Sequence, residues 1–110
     1  MTLDDLAAYG ADVNAGMTRC MNNEGFYLRL VDSVKQEERF VTLRETIEAG
    51  DLDAAFEIAH SLKGVLGNLA LTPMYEPVQQ ITELLRGREN VDYSDLLNQI
   101  DAKREEFLAL

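Results

Sequence analysis

Apolar residues recur every three or four positions along most of the chain, which predicts helices throughout. One of these segments is a central amphipathic helix that Asp51 or Asp53 caps and that runs to about Leu69. On a helix of about 3.6 residues per turn, its apolar residues fall within roughly 60° either side of Leu62, and we expect this stripe to be buried. The stripe consists of Ala55, Ile58, Ala59, Leu62, Val65, Leu66 and Leu69.

Two short helices are predicted before this segment, at the N-terminal end. Thr2 followed by Asp5 resembles a capping box, and Gly10 ends the helix that it begins. Asp12 then caps a second helix that reaches about Cys20. The first of these helices is expected to act as a lid or a packing strut.

Between Glu24 and Gly50 the apolar period is interrupted once. Residues 35–39 are all polar, so we favour two helices with a break near residues 33–36 over one bent helix. Gly50 supplies a natural end to the second of them.

Two further helices are predicted after the central one. Thr72 with Pro73 behind it marks the start of the first, since proline fits the first turn of a helix, and Glu76 is placed to complete the cap. Gly87 ends this helix, and the last helix begins at about Tyr93. Because no segment alternates with the period of a strand, the sequence predicts an all-α fold: an antiparallel four-helix bundle with short additional N-terminal helices, in a single domain of residues 1–110.

His60, the only histidine, lies on the side of the central helix opposite the apolar stripe. By the helix period it is roughly 160° from Leu62, and Gly64 and Gly67 lie roughly 20 to 40° to either side of it. Glycine inside a helix costs about 1 kcal/mol relative to alanine, so the pair needs a compensating role. We interpret both glycines as leaving the histidine ring accessible. The alternative is that Gly67 lies near a frayed helix end and Gly64 contacts a neighbouring helix closely.

Composition and charge narrow the classes of function. The formal net charge of −10 repels phosphate backbones and anionic membranes, and argues against nucleic-acid binding. No apolar run approaches the roughly 20 residues needed to span a membrane, and the acidic start of the chain differs from a secretory signal. The single cysteine, Cys20, cannot form an internal disulfide. We therefore expect a cytoplasmic protein, and nothing in the sequence requires more than a monomer.

Most catalytic chemistries lack the residues that they need. Ser61 lies roughly 100° around the helix from His60, so the two do not pair as nucleophile and base. His60 and Glu57 share a face, but two ligands are too few for a metal site. Asp51 and Asp53 lack the glycine and the later glutamate of a calcium loop. Since no Gly-rich nucleotide loop is present either, we predict no cofactor or metal in this chain and no enzyme activity of its own.

His60 can itself be the reacting group. A neutral imidazole has a free ring nitrogen that can attack phosphorus. Phosphoryl transfer depends mainly on positioning and on neutralising the charge of the phosphoryl oxygens, and Lys63, one helical turn along, can supply an ammonium group. Because nothing in the sequence binds ATP, the phosphoryl group has to come from another protein.

The segment 59–71, AHSLKGVLGNLAL, resembles the signature of histidine-containing phosphotransfer (HPt) domains, which is roughly A-H-x-L-K-G. The residues that match are Ala59, His60, Leu62, Lys63 and Gly64, and the similarity extends to Gly67 and Asn68. Beyond the motif, the resemblance covers most of the chain. Two positions depart from the family pattern: Leu66 stands where a small residue is frequent, and Ala70 where a glycine is frequent, so we expect different packing at the end of the motif helix.

The resemblance implies an intermediate of a two-component phosphorelay. His60 then accepts a phosphoryl group from the aspartyl phosphate of one receiver domain and passes it to the aspartate of another, with magnesium held by the receiver. Lys63 becomes a cation beside the phosphoryl group and Asn68 a polar contact. Gly64 and Gly67 provide clearance for the receiver.

Two other interpretations remain open at this point. The chain could be a non-catalytic helical interaction module whose histidine is only a solvated surface residue. An enzyme that acts on a small molecule through His60 is the weaker alternative, since no second catalytic group stands at helical spacing from it.

Overall fold

The computed structural model describes all residues, 1–110, and consists of seven α-helices with no strand. The helices are α1 (Leu3–Tyr9), α2 (Val13–Arg19), α3 (Glu24–Ser33), α4 (Arg39–Glu48), α5 (Leu52–Asn68), α6 (Thr72–Arg86) and α7 (Ser94–Leu108). A short 3₁₀ turn, Val34–Gln36, separates α3 from α4, where the sequence predicts a break. The all-α prediction is confirmed.

Helices α4 to α7 form the bundle. Residues 49–51 join α4 to α5 and residues 69–71 join α5 to α6, and such short connections make consecutive helices antiparallel. Helix α7 returns to α4, where the Arg44 guanidinium donates to the Asp101 carboxylate at 2.7 Å and to the Asn98 side-chain oxygen at 3.1 Å. The central helix α5 therefore packs between α4 and α6.

The buried face of α5 is the stripe that the helix period predicts. Five of its members are buried: Ala55, Ala59, Leu62, Leu66 and Leu69. Ile58 and Val65 lie at its margins and are half-buried. The opposite face of α5 is left to solvent, and that is the face that carries His60.

Local capping interactions begin three of the helices as predicted. Thr2 and Asp5 form a reciprocal capping box, with hydrogen bonds of 3.1 and 2.9 Å between each side chain and the other residue's backbone N–H. Asp12 and Asp51 each accept a hydrogen bond of 3.1 Å from the backbone N–H three residues along, at the starts of α2 and α5.

The predicted cap at the start of α6 is wrong. Leu71 occupies the N-cap position, so Thr72 is already helical and its hydroxyl turns back toward the carbonyl of Ala70, at 3.5 Å. Glu76 points to solvent and completes no cap. The turn that precedes the helix explains the difference, because Ala70 adopts a left-handed backbone (φ 58°). Glycine is favoured in this conformation, which accounts for the glycine that is frequent here in the family pattern.

The N-terminal helices cover the C-terminal end of α5. They donate three hydrogen bonds to carbonyls there: from the Arg19 guanidinium to Gly67 at 2.6 Å, from the Tyr27 hydroxyl to Leu69 at 2.8 Å, and from the Asp12 backbone to Ala70 at 3.0 Å. Burial raises the pKa of the Tyr27 hydroxyl, so this group keeps the proton that it donates. The Tyr27 side chain packs closely against Gly16 of α2, where any added side chain would collide with it.

Candidate functional site

A groove of about 750 Å³ runs between α5, α6 and α2. All the site residues predicted from the sequence line it: His60, Lys63, Gly64, Gly67 and Asn68. Tyr75, Glu76 and Gln79 of α6 form the facing wall. Asp12, Ala15 and Arg19 of the α2 region close one end. The fold thus places the exposed face of α5 at the floor of an open groove.

His60 is exposed, and its ring is supported from one side. The Phe56 ring, one helical turn earlier, stacks on it with 5.7 Å between centroids and 22° between planes. The guanidinium groups of Arg86 and Arg88 lie over the same Phe56 ring, at 5.0 and 5.1 Å from its centroid. Phe56 is therefore held by cation–π contacts and limits the orientations open to His60.

Lys63 is close to His60 along the helix, but its ammonium group already has a partner. The Lys63 Nζ lies 3.8 Å from Oε1 of Glu83 on α6. The other carboxylate oxygen of Glu83 lies 3.2 Å from Nε of Arg86. One carboxylate thus bridges the predicted phosphate-neighbouring cation and an arginine at the end of α6.

The two glycines differ in their surroundings. A Cβ atom on Gly64 would meet nothing within 4 Å, so the alternative that Gly64 contacts a neighbouring helix is excluded. A Cβ atom on Gly67 would lie 3.0 Å from Cε2 of Tyr75, because the tyrosine ring already fills the space above this glycine. Gly67 makes room for Tyr75 of the same chain. Clearance for a partner stays a prediction for Gly64.

This difference predicts unequal effects of the same substitution on stability. Gly64→Ala is expected to raise the free energy of unfolding by about 0.5 to 1 kcal/mol, since an exposed helical glycine gains helix propensity without a clash. Gly67→Ala is expected to gain less or to lose stability, because Tyr75 has to move by a few tenths of an ångström. Urea unfolding of both variants provides the comparison. Equal stabilisation by the two would contradict the packing of Tyr75 on Gly67.

Sequence reasoning missed several residues of this site. Phe56 was identifiable in principle, because it stands four residues before His60 and shares its face. Arg19, Gln79 and Glu83 carry no such signal. Their places depend on how α2 and α6 lie against α5, which the local period does not encode.

The groove contains one exposed imidazole, a nearby ammonium group and open space above Gly64. No three His, Cys, Asp or Glu side chains lie close enough together to hold a metal ion. No helix combines the length and the apolar character that crossing a membrane requires. The chain is a helical bundle that exposes a single histidine in a groove.

Comparison with known protein families agrees with this description. The family model described as Hpt domain matches residues 34–109, which is more than half of the chain and includes the whole of α4 to α7. The chain belongs to the Hpt domain family, and its role is histidine phosphotransfer in a phosphorelay. No curated protein and no solved structure matched the chain significantly. Residues 1–33, which hold α1, α2 and α3, lie outside the matched region.

Proposed function

We propose that His60 is the phosphorylated residue, and that it accepts a phosphoryl group from an aspartyl phosphate of one receiver domain and passes it to the aspartate of another. The observation that carries this proposal is the exposure of the only histidine on the floor of the groove, beside the open face of Gly64. The family match, which includes His60, supports it. The chain is then an intermediate of two-component signalling with no kinase activity of its own.

The transfer needs little from this chain beyond the imidazole. The lone pair of a neutral ring nitrogen attacks phosphorus, the bond from phosphorus to the aspartate oxygen breaks, and its electrons leave with the carboxylate. The second ring nitrogen keeps its proton. The same step in reverse delivers the phosphoryl group to the next receiver, and the receiver supplies magnesium on both occasions.

The groove residues have separate tasks in this proposal. Lys63 offsets charge on the phosphoryl oxygens, and Phe56 holds the imidazole ring toward the incoming phosphorus. Asn68, an exposed residue at the end of α5, and Gln79 on α6 offer polar contacts within the same groove. Gly64 leaves space for the surface of the receiver around its aspartate.

The partners in this proposal are receiver domains of response regulators or hybrid kinases. The net charge of −10 and the absence of a basic stripe offer no support for nucleic acid or an anionic membrane as the partner. We place the exchange in the cytoplasm and expect the chain to act as a monomer.

Direct labelling tests the proposal. The protein is incubated with phosphorylated receiver domains, and the label that it gains is tested for loss in acid and survival in alkali, the behaviour of a phosphoramidate bond. Mass spectrometry of alkaline digests then locates the phosphoryl group, which we expect on His60. A label on another residue, or none from any receiver that the source organism encodes, would overturn the proposal; the second outcome is what an interaction module would give.

Clearance at Gly64 predicts a separate effect on transfer. Gly64→Leu is expected to slow phosphoryl transfer from a receiver by roughly ten- to a hundredfold, because a branched side chain next to His60 keeps the two reacting atoms apart. Rapid-quench measurement of the transfer rate checks this.

The matched control uses phosphoramidate, a donor small enough to reach His60 past a leucine. Loading by phosphoramidate should be nearly unchanged in Gly64→Leu. If both donors slow equally, the substitution acts on the reactivity of His60 and the clearance role is wrong.

A further inference from the structure

Four contacts link five side chains beside the reactive face of α5. His60 stacks on Phe56, Phe56 lies under the Arg86 guanidinium, Arg86 pairs with Glu83, and Glu83 pairs with Lys63. Lys63 lies on the same helix face as His60, since residues three apart share a face. Glu83 is the only carboxylate among these five side chains, and it contacts both of their cations.

The position of Glu83 matters because two anions can pair with the single ammonium group of Lys63. These anions are the Glu83 carboxylate and the phosphoryl group on phosphorylated His60. In the structure the ammonium lies 3.8 Å from the Glu83 carboxylate, and both side chains are accessible to solvent, at 26% exposure for Lys63 and 52% for Glu83. A contact of this length on a surface is weak and can exchange. A phosphoryl dianion on the neighbouring imidazole is a stronger attractor, since it carries more charge and more acceptor oxygens than a carboxylate.

We infer that Glu83 is a positioning residue for Lys63: its carboxylate holds the ammonium group in the unphosphorylated protein and gives it up to the phosphoryl group on phosphorylated His60. This inference rests on the proposed function of His60. Arg86 keeps Glu83 in place through the exchange, because its Nε contacts the oxygen of Glu83 that Lys63 does not use.

This competition weakens the stabilisation of phosphorylated His60 by Lys63. A carrier that bound its phosphoryl group too firmly would not release it to the next receiver. Glu83 therefore sets the balance between acceptance and release, and does so from α6, outside the motif that carries His60.

A double-mutant cycle on the loaded protein tests the inference without any receiver. Four proteins are loaded chemically with phosphoramidate: the unmodified chain, Glu83→Gln, Lys63→Met and the double variant. Phosphorus NMR then follows the ionisation of the phosphoryl group from monoanion to dianion as a function of pH. Glutamine keeps the shape and hydrogen bonding of the side chain and removes its charge.

The sign of the expected shift follows from the charges. Glu83 disfavours the dianion and withholds Lys63, so Glu83→Gln should lower the ionisation midpoint by about 0.3 to 0.7 pH unit when Lys63 is present. In the Lys63→Met background the shift should fall to less than half of that. The other charged groups of the groove, Asp12, Arg19 and Glu76, are the same in all four proteins and cancel in the cycle.

Glu76→Gln is the matched control, because Glu76 lines the same groove and is not one of the five linked side chains. Its shift should be the same with and without Lys63. For Glu83→Gln, an equal shift in both Lys63 backgrounds, or no shift, would overturn the inference. A chain that loads with phosphoramidate but takes no label from receivers would instead count against the proposed function, so the two failures are distinguishable.

Discussion

Replacing His60 with glutamine is expected to abolish phosphoryl acceptance and leave the fold intact. Glutamine has no nucleophilic ring nitrogen, and no second histidine exists in the chain to substitute for it. The side chain is exposed and stacks on the Phe56 ring, so the free energy of unfolding should change by no more than about 0.5 kcal/mol. The measurement is the acid-labile label gained from a phosphorylated receiver, alongside a urea unfolding curve.

Ser61→Ala provides the control for this substitution. Ser61 is the next residue in the chain, is exposed, and carries a hydroxyl group that could accept a phosphoryl group in place of His60. It should keep the full label. Label that survives His60→Gln, or disappears with Ser61→Ala, would show that the acceptor is not the histidine.

The second large effect is expected on stability, at the contact between α2 and α3. A Cβ atom on Gly16 would lie 2.5 Å from two ring carbons and from the hydroxyl oxygen of Tyr27, a distance that real Cβ atoms do not reach. Gly16→Ala should therefore displace the ring and weaken the hydrogen bond from the Tyr27 hydroxyl to the Leu69 carbonyl. We expect a loss of roughly 1 to 3 kcal/mol in the free energy of unfolding, despite the gain in helix propensity.

Gly25→Ala is the comparison, since it makes the same chemical change in the neighbouring helix. The nearest atom to its new Cβ lies at 3.7 Å, an ordinary contact, so this variant should be neutral or slightly more stable. A second variant isolates the cause: adding Tyr27→Leu to Gly16→Ala removes the clash, and the two losses should be less than additive. If Gly16→Ala unfolds at the same urea concentration as the unmodified chain, this result would contradict the close packing of Tyr27 on Gly16.

The features that the sequence predicted well depend on short-range interactions. The capping residues Thr2, Asp12 and Asp51 each act on a backbone group three residues away, so the sequence contains both partners of the contact. The buried stripe of α5 and the exposure of His60 follow from the helix period in the same way. The break between α3 and α4 was predictable because a run of polar residues interrupts that period.

What the sequence missed depends on how the helices meet. The Gly67 position was assigned to partner clearance from its place beside His60, yet the space belongs to Tyr75, which arrives from α6. The same is true of Glu83, whose pairing with Lys63 requires the crossing of α5 and α6 to be known. At Thr72 the local signal itself was misleading, because the left-handed turn at Ala70 shifts the N-cap to Leu71.

The hydrogen bonds from the N-terminal helices to the end of α5 indicate that residues before the family match fold together with the bundle. The family match begins at residue 34, but the groups that satisfy the last carbonyls of α5 come from Asp12, Arg19 and Tyr27. A fragment cut at the boundary of the match would lose these three hydrogen bonds and the residues of the α2 region that close one end of the groove. We therefore expect the cooperative unit of this chain to extend beyond the region that the family model matches, and a truncation designed from that region alone would remove part of the site.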